Sequence, residues 1–342
     1  MDSLTIPWKS FRFTAVFCFS ILSWALAPSL AAAQDKEPVR MRIASVLEPS
    51  SPIYVGLDKF KQRVEQLTDG QVKVTLYKST LGKGERQIYE ASLLGTIEGQ
   101  VASTGPLSAF VPEADLFNLP FLFTDMPHAF KVVDGDIGND FNKKAIAKGI
   151  RILGWWVIGT RNTSTRKREI NKPSDYKGLK IRTMESPPFI ALYKAMGAIP
   201  VPMPITEVYT GLSQGTIDGI DGSLASQLEF KQTEVLDYAS ITNHVVLFFP
   251  LSVSEDWWEG LPKNVQQAII TAEAESRPLE RSADAAYSKS IEAEWIKQGK
   301  VITHPDLAEF RRIGRSTYPQ FYDKVGGKAL VDRILKMNDE PD

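Results

Sequence analysis

The sequence predicts an α/β protein of two similar lobes around a shared cleft, on three observations. The chain has 342 residues, more than one hydrophobic core usually organises. Apolar residues repeat with strand and helix periods in alternation, the order that sets helices on the faces of β-sheets. One short motif also occurs twice: Leu94-Gly95-Thr96-Ile97-Glu98-Gly99 returns as Gln214-Gly215-Thr216-Ile217-Asp218-Gly219, with 120 positions between Gly95 and Gly215. In each copy the glycine accepts the left-handed backbone just past a helix end, and the Thr-Ile pair suits the start of a strand. Two lobes turning equivalent helix-to-strand junctions toward one cleft would produce this echo; chance coincidence of two common junctions would also do so.

The elements follow in order. Met41 to Val46 reads as a strand, closed by the proline- and serine-rich turn Glu48-Pro49-Ser50-Ser51-Pro52. Tyr54 to Thr68 carries Val55, Phe60, Val64 and Leu67 at helical spacing, with Asp69-Gly70 as a stop. Gln71 to Tyr77 alternates with period two, the mark of a half-buried strand. A helix over Glu85 to Leu94 follows, then further strands at Ile150 to Ile158 and Leu179 to Thr183. Beyond Glu255 the chain turns helical: one helix from Lys263 through Ala272, a second segment over Glu280 to Gln298, a short strand at Gly299 to Thr303, and helix again from Pro305. No flexible linker separates the lobes, so the chain is expected to cross between them more than once.

Composition narrows the class. Hydrophobic residues at 43% and charged residues at 24% exclude a largely disordered chain. Forty Lys and Arg against 41 Asp and Glu leave a net charge of −1, so there is no electrostatic footprint for nucleic acid or an anionic membrane. Any anion site must be local.

The first 33 residues have the layout of a secretory leader. Lys9 and Arg12 precede a largely apolar run from Phe13 to Ala27, and Ala31-Ala32-Ala33 offers small residues before a cut at Gln34. Pro28 ends the run short of the roughly 20 apolar residues that a span needs, which argues against a membrane anchor. The single cysteine, Cys18, leaves with the leader, so the mature chain has no disulfide and no cysteine metal site.

A search for catalytic chemistry finds little. His128, His244 and His304 are far apart, lack metal-ligand spacing, and read as surface or capping residues. No nucleophile elbow, phosphate loop, zinc-protease motif or dinucleotide fingerprint occurs. Binding without chemistry is the leading class, with no cofactor or metal expected. Arg182 is the strongest anion-site candidate, because it ends a predicted strand and its planar fork can hold a carboxylate through two parallel hydrogen bonds. A solvated arginine or a structural ion pair fits its spacing equally. Arg161, just past the apolar strand with Trp155-Trp156, could contact the same anion, hold a carboxylate partner, or lie on the surface. Glu85 stands at a helix start, where complementarity to the helix dipole alone would explain it. Trp155, Trp156, Phe248 and Phe249 read as core or cleft wall.

Taken together these stretches resemble the DctP-type solute-binding proteins of TRAP (tripartite ATP-independent periplasmic) transporters. The resemblance runs from about Met41 to the C-terminal helices. It is carried by Leu81-Gly82-Lys83-Gly84-Glu85-Arg86, Asp115-Leu116-Phe117-Asn118-Leu119-Pro120-Phe121-Leu122-Phe123, Gly159-Thr160-Arg161, and Lys177-Gly178-Leu179-Lys180-Ile181-Arg182. Met196-Gly197-Ala198, Pro202-Met203-Pro204, Glu207-Val208-Tyr209, Gly215-Thr216-Ile217-Asp218-Gly219 and Thr303-His304-Pro305 continue it.

The resemblance implies a two-lobed periplasmic binding-protein fold with a hinge and a long helix shared between lobes. One lobe would comprise 37–158 with 249–287, the other 159–248 with 288–340. It implies capture of a small organic acid in the interlobe cleft, delivery to two membrane subunits of the transporter, and no ATP hydrolysis; a monomer is the expectation. It places Arg182 as the main salt bridge to the ligand carboxylate, with Arg161 and Glu85 helping to line the pocket. Asp221, Gly222 and Ile205 complete the implied site. Many relatives carry an asparagine where Gly222 stands, and an aromatic residue where Ile205 stands. Both departures free space and remove a polar or stacking contact, so the ligand is either a dicarboxylate or sugar acid or a bulkier, possibly aromatic, carboxylate. A periplasmic enzyme, or a sensor module feeding a membrane receptor, is the rival reading on the same scaffold.

Overall fold

A computed structural model describes residues 37–78 and 84–337. The leader and Leu81-Gly82-Lys83 lie outside the described residues. In chain order the strands are β1 (Val39–Ser45), β2 (Val72–Lys78), β3 (Gly99–Val101), β4 (Ile150–Gly154), β5 (Val157–Thr165), β6 (Lys180–Thr183), β7 (Ile199–Pro202), β8 (Gly219–Gly222), β9 (Tyr238–Phe248), β10 (Leu251–Ser254) and β11 (Val301–Thr303). They form two mixed sheets, ordered β2-β1-β3-β10-β4 and β11-β9-β5-β8-β6-β7. The chain therefore leaves the first sheet between β4 and β5, returns between β9 and β10, and leaves again before β11.

The helices are α1 (Pro52–Leu67), α2 (Glu85–Leu93), α3 (Thr104–Leu107), α4 (Met126–Asp134), α5 (Asp136–Ile146), α6 (Pro187–Ala195) and α7 (Ile205–Gln214). They continue with α8 (Leu224–Glu229), α9 (Glu255–Glu259), α10 (Lys263–Lys297), α11 (Ala308–Arg315), α12 (Tyr322–Val325) and α13 (Lys328–Lys336). Among the described residues no helix is long and apolar enough to cross a membrane.

Helix α1 shows how sequence sets packing. Pro52 stands at its first turn, where a missing amide costs nothing. Ile53, Leu57, Phe60 and Val64 form its buried face, and burying a side chain such as Phe60 contributes about 1.5–3 kcal/mol. Val55 and Leu67, which the spacing would also turn inward, are 50% and 38% exposed. The stripe is narrower than the apolar count suggests.

Two further expectations change. The apolar run Ile150 to Ile158 is not one strand: β4 pairs with β10 in the first sheet and β5 with β8 and β9 in the second. Trp155 and Trp156 make the crossing between them, and both are buried, so the run stays apolar through a change of sheet. The helical segments after Lys263 are one helix of 35 residues with Pro278 inside it. Its first half contributes Val265, Ile269 and Ala272 to the core built on α1 and β1. Its second half places Ile291 and Trp295 in the core around α7 and β9. One rod is thus embedded in both lobes.

The repeated motif repeats in space. Gly95 and Gly215 adopt φ of +70° and +72°. Thr96 N donates to Ala91 O at 2.8 Å, and Thr216 N to Gly211 O at 3.0 Å. Arg42 N donates to the Glu98 carboxylate at 2.6 Å, as Lys180 N does to Asp218 at 3.0 Å. The junctions themselves are solvent-exposed at the far end of each sheet. The opposite ends, with the first turns of α2 and α7, face the cleft.

Candidate functional site

A cavity of about 300 Å³ is lined on one side by strands of the second sheet and on the other by the residues just after β1 and by α2 and α3. From the second sheet, Arg182 sits on β6 beside Val201 of β7 and Ile220 of β8. It is 3% exposed and lines the cavity. Its Nε donates to Met203 O at 2.9 Å, and no carboxylate among the described residues lies within ion-pair distance. Burial, reinforced by repulsion from Arg161, pulls its guanidinium down to about 9. A buried cation with one backbone bond has two further nitrogens that can donate to an anion.

Arg161 lies within β5 rather than past its end, because β5 runs on to Thr165. Its Nε donates to Asp221 Oδ1 at 3.0 Å and its Nη2 to Asp221 O at 2.6 Å. Nη1 stands 3.1 Å from Met184 Sδ, a weak acceptor, and the guanidinium covers the Phe189 ring at 4.7 Å. Asp221, on β8, is fully buried and reaches the cavity only through Arg161. Its Oδ1 also lies 2.9 Å from His244 Nε2, whose Nδ1 is 2.8 Å from Thr242 Oγ1. Burial pushes the Asp221 carboxyl up, but Arg161 and His244 together outweigh it and hold the group at about 2.

The first sheet contributes differently. Glu85, the first residue of α2, is buried and lines the cavity. Its carboxylate accepts from Ser103 Oγ and, at 3.3 Å, from Ser103 N. Burial pushes this carboxyl up, against the pull of Ser103, Arg182 and Arg161. Gly222 and Ile205 line the cavity from β8 and the start of α7. A Cβ on Gly222 would come no closer than 3.5 Å to Gln227 Nε2, so one fits there at ordinary van der Waals distance. Across the cleft a Cβ on Gly84 would stand 3.1 Å from Pro204 Cβ, and Ser186 Oγ donates to Asp115 Oδ1 at 2.9 Å.

All six expected residues therefore gather at one place, five lining the cavity and Asp221 directly behind. Sequence reasoning missed Met184, Ser103 and the Met203 carbonyl. It also misread two histidines: His244 is buried against Asp221, and His128 is buried with Nε2 2.9 Å from Ile334 O. His244 sits on β9, which is buried along nearly its whole length so that no alternation marks it, while His128 lies on the buried stripe of α4 with Ala129, Val132 and Val133. Trp155, Trp156 and Phe248 are core, while Phe249 lines the cavity. No group of three potential metal ligands occurs among the described residues.

Two mixed sheets joined by crossing strands, with a cavity lined by the buried Arg182 and Arg161, have the arrangement of a binding protein. Residues 43–325 match the DctP family, bacterial extracellular solute-binding protein family 7, and the chain belongs to that family. It is a transport protein and not an enzyme. A solute-binding protein of Verminephrobacter eiseniae is 37% identical over 296 residues, 86% of this chain and 88% of its own. The C4-dicarboxylate-binding periplasmic protein DctP of Rhodobacter capsulatus is 32% identical over 314 residues, 91% of this chain and 93% of its own. The crystal structure of a TRAP periplasmic solute-binding protein from a Polaromonas species, bound to D-erythronate, superimposes with a TM-score of 0.83 at 33% identity. That match covers 87% of this chain and 98% of the other.

Proposed function

We propose that this chain captures a small organic carboxylate in the periplasm by a salt bridge from Arg182, and hands it to the membrane subunits of a TRAP transporter. The observation that carries this reading is the buried Arg182 guanidinium, facing the cavity with a single bond to Met203 O and no carboxylate partner among the described residues. The relatives support the ligand class, since one is named for C4-dicarboxylates and another holds D-erythronate, both carboxylates.

Arg161 has a supporting role. Asp221 fixes its fork and neutralises its charge, leaving Arg182 as the primary contact. Excluding water from around Arg182 strengthens its attraction for the ligand, so binding favours the closed arrangement of the lobes, the form a membrane partner would recognise.

Mass spectrometry of ligand released from protein purified without refolding tests the class directly. An organic acid is the expected species. A neutral solute whose binding is indifferent to Arg182→Ala overturns the salt bridge. Ligand uptake by vesicles carrying the membrane subunits, dependent on added binding protein, tests delivery.

A further inference from the structure

The chemistry of the cavity away from Arg182 narrows the ligand further than its charge does. Val46, Leu47, Leu247 and Phe249 all line the cavity and all belong to one core cluster, which is built on α1 and β1 and reaches β9 of the second sheet. Ile205 and Phe230 line it as well and pack against that cluster. This wall is the surface of the hydrophobic core itself.

Most polar groups around it are occupied or of the wrong sign for a second anionic end; the exception is Gln87, which lines the cavity with its Oε1 buried and without a partner. Ser226 Oγ donates to Ser223 O at 3.0 Å and accepts from Ser223 Oγ at 2.9 Å. Gly222 O accepts from Gln227 Nε2 at 3.1 Å. Arg86 pairs with Glu90 at 3.2 Å. Glu85 and Glu185, which also line the cavity, would repel a carboxylate. Asp221 pairs with Arg161 at 3.0 Å, whereas Arg182 has no ion-pair partner among the described residues and feels Glu85 only at longer range.

We propose that the ligand is a monocarboxylic acid whose other end is hydrocarbon, a branched aliphatic or aromatic tail, and neither a dicarboxylic nor a polyhydroxy acid. This rests on the reading of Arg182 as the carboxylate anchor. A second carboxylate would meet Glu85 and Glu185, and a row of hydroxyls would lose its water against the core-like wall with only Gln87 and those two carboxylates to offset the loss, a penalty that discriminates against both. A hydrocarbon tail loses nothing there and gains burial.

Calorimetric titration of the protein with 3-phenylpropanoate, 4-methylpentanoate, succinate, D-erythronate and 3-phenylpropanamide separates the possibilities. The two hydrocarbon acids are expected to bind at least about 30-fold more tightly than succinate or D-erythronate. The amide should lose most of the affinity of its parent acid. Gly222→Asn, which adds a polar side chain to the cavity lining, should weaken 3-phenylpropanoate about tenfold. Succinate or D-erythronate binding as well as the hydrocarbon acids, and losing that binding in Arg182→Ala, overturns the hydrocarbon inference while leaving the anchor intact. The amide binding as tightly as the acid overturns the anchor, and this inference with it.

Discussion

In the first lobe Ile43 pairs with Gly99 and Ala44 with Gln100; in the second, Ile181 pairs with Gly219 and Arg182 with Ile220. The same strand, helix, strand, helix, strand unit stands behind both, down to the carboxylate of Glu98 or Asp218 that accepts an amide from the neighbouring strand. What differs is the side chain at equivalent places. Arg182 occupies the position of Ala44, Asp221 that of Val101, and Ile205 that of Glu85. The scaffold is repeated, and the anion chemistry sits almost wholly on one copy. In such a fold, binding is written in a few substitutions at strand ends, not in the architecture.

That asymmetry can be broken from the largest effect downward. Asp221→Asn should cost about 3–5 kcal/mol of stability, because it strands Arg161 as an uncompensated buried charge; the first lobe, with Val101 at that place, has no equivalent weakness. The same residue gives a pH signature. Its carboxyl is held at about 2 against about 4 in an unfolded chain. The stabilisation is therefore complete above about pH 4 and is lost as the pH falls through about 2. Denaturant titrations between pH 2 and 7 should show this acid limb in the parent and a flatter profile in the variant.

Arg182→Ala makes the second lobe like the first at its most telling position. Truncating one partner of a desolvated charge pair costs about 2–5 kcal/mol, roughly 30- to several-thousand-fold in affinity. Calorimetry should register that loss with an unchanged circular dichroism spectrum, and Arg182→Lys should recover only part, since an ammonium lacks the two-pronged geometry.

The glycines that begin β3 and β8 sharpen the comparison. A Cβ on Gly219 would stand 2.5 Å from Ser164 O, whereas one on Gly99 would stand 3.0 Å from Ser252 O. Alanine at Gly219 should cost about 1–3 kcal/mol, and at Gly99 less, as read by chemical denaturation. The smallest effect is symmetric: Gly95→Ala and Gly215→Ala should each cost about 1 kcal/mol, since both positions need left-handed backbone. Unequal losses there would show that the two junctions are not equivalent.

Much of this was legible in the sequence, for physical reasons. β2 was plain because Val72 and Val74 are buried while Lys73 and Thr75 are exposed, so one solvated face prints its period. Arg182 was found because a charged fork ending an apolar strand is locally conspicuous. The division at Trp155-Trp156 was hidden because the crossing and β5 are buried on nearly every side, so the apolar run continues past the end of the alternating β4. Pro278 falls between the two helical segments that the sequence suggested, yet packing on both sides carries α10 through it. His244, Ser103 and Met184 reach the site through contacts between elements remote in sequence, which no spacing announces.

Helix α10 has one more consequence, a mechanical one. At 35 residues it is a strut about 50 Å long, clamped by Ile269 in one core and Trp295 in the other. When the lobes rotate, neither end can slip, so the strut must flex. Near its middle Pro278 lacks the amide that would bind the Ala274 carbonyl, and that missing bond makes it the compliant point. Any rotation of one lobe against the other would therefore be felt first at this one place, where the outer side of the helix, at Leu279, is exposed.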